Sequence, residues 1–476
     1  MSLEIPSPRG LLIDGEWLAA DRVTTLYSPY DGTAIAEVPQ AGAAEVSRAV
    51  AAARNALRAD RFDRSARIVV LDAAVAGLRR RKEEFARTIA VECAKPIRTA
   101  RLEAERTIDT FSFAAAEART YTGDMVPLDA AASGQGKVAF TLRVPVGVVA
   151  AIAPFNFPLN LVAHKVAPAI AVGCPVVLKP ASQTPLSSLL LAELLLDAGL
   201  PPGWLNVVPG GGAEVGDALV REPDVAYVTF TGSPEVGWGI AARAPKKKVR
   251  LELGSNAPLI VDADSDWETA AVKAASAGFV QAGQSCVSTQ RIYVHADVAA
   301  RFREALVAGV AGLKVGDPLA EDVDVSALIS AKDALRVESW IGEAIGGGAR
   351  ADIGGERIDN VVTPAVLSDV TATMRVQAEE VFGPVVTLTE FADFDTALDL
   401  ANDSRYGLNA GVYTNDIGKA LKAVRRLEFG SVYVNDVPTV RADQQPYGGV
   451  KDSGNTREGP RYAMAEMTEP RLVTLR

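Results

Sequence analysis

Two patterns alternate along the chain. Short runs of branched apolar residues are separated by longer alanine- and leucine-rich stretches in which apolar positions recur at helical spacing. The spacing predicts helices over 44–59, 64–82, 100–118, 187–198, 267–282 and 298–312. It predicts strands over 147–153, 175–178, 205–208, 227–231, 257–261 and 291–294. Runs such as VGVVAAIA and CPVVLK show no polar alternation, which is how strands of a parallel sheet covered on both faces read. Strands interleaved with crossover helices define the α/β class. Segment 144–163 runs twenty residues without a charge and so reaches membrane-spanning length. Pro145, Pro154 and Pro158 break it, and a lipid-exposed helix could not satisfy its backbone around them. It reads as a buried strand, a turn and a helix start. A small-residue loop over 130–137 leads into the alternating KVAFTLRV, the pattern of a hairpin arm, and one βα pattern gives way to another near Gly254.

Composition narrows the function classes. A length of 476 residues gives a prior of about three domains. The 49 basic residues are outnumbered by 59 acidic ones, for a net charge of −10, which argues against a nucleic-acid partner. With 48% hydrophobic and 23% charged residues the chain is ordinary globular protein rather than disordered or fibrous. Three scattered cysteines build no disulfide framework and fit a reducing cytoplasm. The opening MSLEIPSPRG lacks an apolar core behind a basic start, so neither an export signal nor a membrane anchor is expected.

Four clusters carry candidate chemistry. In PFNFPLN (154–160), Asn156 follows a buried strand at the end where open α/β sheets bind ligands. Its amide suits a developing oxyanion, or it is simply a turn asparagine. In VVLKPAS (176–182), Lys179 suits a phosphate or a ribose hydroxyl, or is a solvated lysine before a proline. In VTFTGSPEVGWGI (228–240), Gly232 permits a tight turn and Ser233 caps a helix whose N-terminus suits a pyrophosphate. This is not the GxGxxG fingerprint, and the nearby PGGGAEVG (209–216) is either flexible binding backbone or a plain turn. The fourth cluster pairs LELGSNAP (251–258) with AGQSCVSTQRIYV (282–294). Cys286 there stands where a helix ends and a strand begins, as a nucleophile or a small buried hydrophobe. Glu252, inside an apolar strand, is the available carboxylate, and burial would raise its pKa toward a general base's range. Cys93 and Cys174 read as structural.

In this order the four clusters resemble the aldehyde dehydrogenase superfamily, from LLIDGEWL at Leu12 through EEVFGPV (379–385), SRYGLNAGVYT (404–414) and PYGGVKDSGNTREG (446–459). The resemblance implies an aldehyde dehydrogenase-like α/β fold: two open parallel-sheet, Rossmann-like domains plus a β-arm for oligomerisation. A cofactor domain would span 1–123 and 146–254, a catalytic domain 255–454, and the arm with its closing strand 124–145 and 455–476. It implies Cys286 as nucleophile, Glu252 as general base and Asn156 as oxyanion amide. It places NAD or NADP against Ala153, Pro154, Phe155, Lys179, Ser182, Gly212, Gly216, Phe230, Thr231, Gly232, Ser233, Leu253, Glu380 and Phe382. Ser182 stands where NAD-preferring members often carry a glutamate, so NADP is permitted. No metal is expected.

The implied substrate is a small polar or anionic aldehyde of the lactaldehyde, glyceraldehyde-3-phosphate or phosphonate-aldehyde type, with Arg106, His164, Ser285 and Arg441 near it. Ser285 replaces the arginine that phosphate- and phosphonate-specific members carry there. The other reading makes Arg106 a helix-surface residue, His164 a satisfied helix histidine and Arg441 a loop residue with a backbone partner. Alternatives are a succinate-semialdehyde or CoA-acylating enzyme, the latter opposed by Glu252, and a non-catalytic binding protein on the same fold. The arm implies a homodimer or homotetramer, since an unpaired edge strand invites aggregation.

Overall fold

In the computed structural model, which describes residues 10–59 and 61–476, two seven-stranded sheets follow one another along the chain. The opening MSLEIPSPRG, expected to hold no export signal, lies outside the described residues except for Gly10. Across its width the first sheet runs Lys248–Glu252, Val225–Thr231, Val148–Ile152, Val176–Lys179, Leu205–Val207, Leu11–Ile13 and Glu16–Leu18. The strands from Lys248–Glu252 to Leu205–Val207 are parallel, and the two from the start of the chain are antiparallel. The second sheet runs Arg350–Ile353, Ala365–Ser368, Val385–Phe391, Arg291–His295, Pro258–Val261, Asn409–Tyr413 and Ser431–Val434, parallel except at its first strand.

The unbroken apolar runs have the expected cause: successive side chains of a strand point to opposite faces, and both faces are covered. Val149, Ala151, Val176 and Leu178 pack under the helices Arg64–Arg80, Ile97–Thr120 and Asn160–Val172. Val148, Ala150, Ile152 and Val177 pack into a separate core under Ala43–Ala59 and Pro234–Arg243. The second sheet divides likewise, with Leu259 and Val261 on one face and Ile260 on the other. The arm is an antiparallel three-stranded sheet in which Val138–Pro145 lies between Met125–Val126 and Thr468–Leu475.

Two elements differ from the periodicity. The helix expected over 267–282 stops at Ala277, and Gln281, Ala282 and Gly283 then take three consecutive left-handed conformations. Nothing in a Gln-Ala pair signals such a turn, because it is imposed by long-range packing; at Gly283 an added Cβ would fall 2.0 Å from the Gly383 carbonyl oxygen. The helix Asn160–Val172 is buried on every side, including His164 and Lys165, so it shows no amphipathic stripe.

A buried ion pair holds the turn that precedes that helix. Lys95 and Glu103, 0% and 1% exposed, bond to each other, and Glu103 Oε1 accepts the backbone N–H of Leu159 and Asn160 at 3.0 and 3.1 Å. The Lys95 ammonium also sits 3.8 Å from the centre of the Phe157 ring. Removing one partner of such a pair strands the other charge without solvent. Glu103→Ala is therefore expected to lose about 3–5 kcal/mol of stability. Thermal or urea unfolding checks this, and wild-type stability would show that the turn is held by other means.

Candidate active site

The carboxyl ends of the strands Val148–Ile152, Val225–Thr231 and Lys248–Glu252 open onto a cavity of about 470 Å³. Asn156, Thr231, Gly232, Ser233, Glu252 and Leu253 line it from the first sheet's side, with Pro154 and Phe155. Cys286, Glu380 and Phe382 face them from the second. Eleven of the residues singled out in the sequence thus share one cleft, which also takes in Arg336 and Trp340 from the helix Ala331–Gly346 and Tyr406, which the sequence did not mark.

Cys286 sits in the loop between Ala277 and Arg291, partly exposed to the cleft, unlike the buried Cys93 and Cys174. The left-handed turn before it is tied down through Gln284, whose side chain accepts from Ile329 N–H at 2.9 Å and donates to the Gln281 carbonyl at 3.2 Å. The Gln284 carbonyl in turn accepts from Asn156 Nδ2 at 2.9 Å. One amide hydrogen of Asn156 is spent on that anchor, which leaves the second for a ligand. Burial pushes the Cys286 thiol up to about 12, against the lowering effect of the Tyr447 hydroxyl 2.9 Å from Sγ and of the Arg441 charge.

Glu252 is 4% exposed, and neither carboxylate oxygen has a hydrogen-bond partner among the described residues. Burial, followed by the charge of Glu458, raises its pKa well above the carboxylate range, while Arg441, Lys165 and Arg457 act in the other direction. Glu458 meets the same burial with a different outcome. Lys165 at 3.4 Å and Arg441 at 2.9 Å hold it down at about 2. Lys165 also donates to the hydroxyls of Thr229 and Thr231 at 3.1 and 2.7 Å.

Further along the cleft, Glu380 accepts the Ser255 N–H at 2.8 Å, and burial brings its pKa up to about 7. Its carboxylate lies over Gly254, where an added Cβ would stand 2.3 Å from Oε2. Phe382 meets Phe155 edge to face with ring centres 5.8 Å apart. Ser233 caps the helix Pro234–Arg243. Lys179 lies just outside the cavity wall beneath Gly216, and the Pro180 carbonyl at 3.0 Å is its one acceptor among the described residues. Burial brings its pKa down to about 8. Ser182 donates to the Gly210 carbonyl at 3.0 Å. Ala153, Gly212 and Phe230 likewise fall outside the lining.

Arg106, His164, Ser285 and Arg441 also lie outside it, and three of the four already have carboxylate partners. Arg106 forms a two-pronged bond to Asp443 at 3.1 and 2.9 Å, and His164 Nε2 meets Asp443 Oδ1 at 3.0 Å. Arg441 pairs with Glu458, a side chain rather than the backbone. Burial and the nearby Arg441 hold His164 below its ordinary pKa, against the raising effect of Asp443, and Nδ1 is buried without a partner among the described residues. Asp443 had no sequence signal, and Glu458, inside the motif at 446–459, was not singled out within it.

The state of Glu252 has a measurable consequence. Its folded pKa lies above its unfolded one, so the folded chain keeps a proton that the unfolded chain releases, and stability falls as pH rises through the folded pKa. Glu252→Gln imitates the neutral carboxyl. Its melting temperature is expected to gain on wild type as the pH rises above the ordinary carboxylate range toward the raised folded pKa. A constant gap would mean that Glu252 is ionised in the resting protein.

Comparison with known proteins gives this cleft a family. The aldehyde dehydrogenase family profile matches residues 17–473. A 3-sulfolactaldehyde dehydrogenase from Priestia aryabhattai is 45% identical over 466 residues, 98% of each chain. Aldehyde dehydrogenase 21 of Physcomitrella patens, solved with the reaction product succinate, superposes with a TM-score of 0.96 at 41% identity over 99% of this chain and 98% of that one. A glyceraldehyde-3-phosphate dehydrogenase from Methanocaldococcus jannaschii, solved with NADP, gives a TM-score of 0.92 at 37% identity, covering 96% and 99%. With a profile match over nearly its whole length and relatives this similar from end to end, the chain belongs to the aldehyde dehydrogenase family.

Proposed function

We propose that the protein oxidises a short polar aldehyde that is uncharged or carries a single negative charge, of the lactaldehyde or 3-sulfolactaldehyde kind, to its acid with NAD or NADP. The observation that carries the reading is the convergence of Cys286, Asn156 and Glu252 on one cavity. The Cys286 thiolate attacks the aldehyde carbon, forming the C–S bond of a thiohemiacetal. The oxyanion accepts from the uncommitted Asn156 amide hydrogen and from the Cys286 N–H, which makes no backbone hydrogen bond among the described residues. After oxidation to the thioester, Glu252 takes a proton from the attacking water, and the acid leaves with Cys286 restored as thiolate.

The groups along the cleft fit a dinucleotide. Lys179 has spare donors and a depressed pKa that an anionic neighbour would restore. The N-terminus of Pro234–Arg243 suits a pyrophosphate, Glu380 a ribose and Phe382 the nicotinamide ring. Bound there, the dinucleotide supplies the acceptor for the hydrogen and two electrons that leave the substrate carbon. Ser182 presents a hydroxyl and no negative charge, so NADP is admitted as well as NAD.

A monoanionic substrate is favoured by charge balance. The guanidiniums of Arg106 and Arg441 already face Asp443 and Glu458, and Ser285 adds no cation, so little positive charge is left to hold a phosphate dianion. Similarity to a 3-sulfolactaldehyde dehydrogenase supports the same preference.

Reduced-nicotinamide absorbance with 3-sulfolactaldehyde, lactaldehyde, succinate semialdehyde and glyceraldehyde 3-phosphate, with and without CoA, tests the reading. The sulfonate or uncharged lactaldehyde is expected to exceed the phosphate by about tenfold or more in kcat/KM, about 1.4 kcal/mol. Turnover that requires CoA, or no turnover at all, would overturn the reading. Asn156→Ala is expected to lose about 10²–10³ in kcat while remaining folded. The exposed Leu142, Leu472 and Leu475 on the arm favour at least a dimer, and a monodisperse monomer in sedimentation would refute that.

A further inference from the structure

We infer that Tyr447, with Arg441 stacked on its ring, is the hydrogen-bond donor that makes the Cys286 sulfur usable as a thiolate. The inference rests on the aldehyde-oxidising reading above and concerns how its nucleophile is prepared. The Tyr447 hydroxyl stands 2.9 Å from Cys286 Sγ. The residue is 2% exposed and packs with Val287 and Leu408 around the cysteine. Its backbone is fastened on both sides to Glu458, donating to the Glu458 carbonyl at 3.2 Å and accepting from its N–H at 2.6 Å. The guanidinium carbon of Arg441 lies 3.7 Å from the centre of the phenol ring. Arg441 is itself held by Glu458 at 2.9 Å, so the cation cannot drift off the ring without breaking an ion pair.

The physical sense follows from what surrounds the sulfur. A buried thiol ionises only where something favours its charged form. Among the groups that act most strongly on Cys286, Glu252 and Glu380 oppose ionisation, while Tyr447 and Arg441 favour it. The two histidines of the chain do not touch it: His164 is bound to Asp443 and His295 to the Ala392 carbonyl. A cysteine protease-like imidazole is therefore missing among the described residues, and the phenol takes its place, donating rather than accepting. A cation over the face of a phenol draws electron density from the ring and makes the O–H a stronger donor. Arg441 thus works through Tyr447 as well as through its own field, and so is a positioning residue for the nucleophile rather than a free anion-binding group.

The test reads the thiol directly. Alkylation of Cys286 by iodoacetamide is followed by peptide mass spectrometry across pH, in wild type and in Tyr447→Phe, which keeps the ring and its stacked cation. The midpoint in Tyr447→Phe is expected to rise by roughly one pH unit, so that the rate below the midpoint falls about tenfold. Wild type grown with 3-fluorotyrosine, whose hydroxyl is the stronger donor, is expected to move the midpoint the other way, and this arm stands even if the phenylalanine variant does not fold. Unmoved midpoints overturn the inference. Neither arm needs aldehyde or dinucleotide. Failure of the aldehyde panel with a shifted midpoint would remove the activity and leave the hydrogen bond, and an active enzyme with an unmoved midpoint would do the reverse.

Discussion

Desolvation is the constraint around which the site is arranged. Taking a thiol or a carboxyl out of water favours its neutral form, and the cleft contains one of each, Cys286 and Glu252, which the proposed reaction needs as anions. Everything packed around them bears on that conflict. The left-handed turn at 281–283 delivers the sulfur to the cleft, the Gln284 carbonyl aims the Asn156 amide at it, and the ion pair of Lys95 with Glu103 fixes the turn carrying Asn156. Because these supports come from segments far apart in the chain, the site is a product of the whole fold rather than of any one motif.

Much of this was legible in the sequence, and the reason is geometric. Residues at the carboxyl end of a buried strand have one place to go in an open α/β sheet, which marked Asn156, while the joining of Gly232, Ser233 and Glu252 to it rested on the order of motifs that resembles the family. The parts that were not legible depend on partners remote in sequence. Asp443 takes Arg106 across 337 positions and His164 across 279. Neither arginine nor histidine carries a mark that says whether its counter-charge will be a substrate or another side chain. Tyr447 lay inside a recognised motif, yet its contact with Cys286 spans 161 positions. The helix Asn160–Val172 hid Lys165 for a related reason: burial on all sides erases the periodicity by which a polar face is found.

The pairing of Arg106 and Arg441 also changes what those residues can be asked to do. A guanidinium bonded on two prongs to an ionised carboxylate offers an incoming anion only its remaining donors and a field already offset nearby. Such an arrangement leaves less net positive charge for a doubly charged group than for a singly charged or neutral one. It is consistent with the serine, rather than a third cation, that stands before the nucleophile.

The same logic assigns protons to the two carboxyls that share this end of the cleft. Glu252 and Glu458 are both buried, and each raises the cost of ionising the other. Lys165 and Arg441 bond directly to Glu458 and not to Glu252, so the negative charge settles on Glu458 and the proton stays on Glu252. The resting base is thus neutral, which suits a site whose first task is to admit a carbonyl beside a sulfur that must ionise. A second full negative charge near Cys286 would oppose the thiolate. In the proposed reaction Glu252 must therefore release its proton to solvent before it can accept one from water, and loss of the sulfur's charge in the bond to carbon removes one of the negative charges that oppose this. The absence of partners for Glu252 thus holds it neutral at rest, and the proposed order, thiolate first and carboxylate second, keeps the two charges from opposing each other in one small cavity.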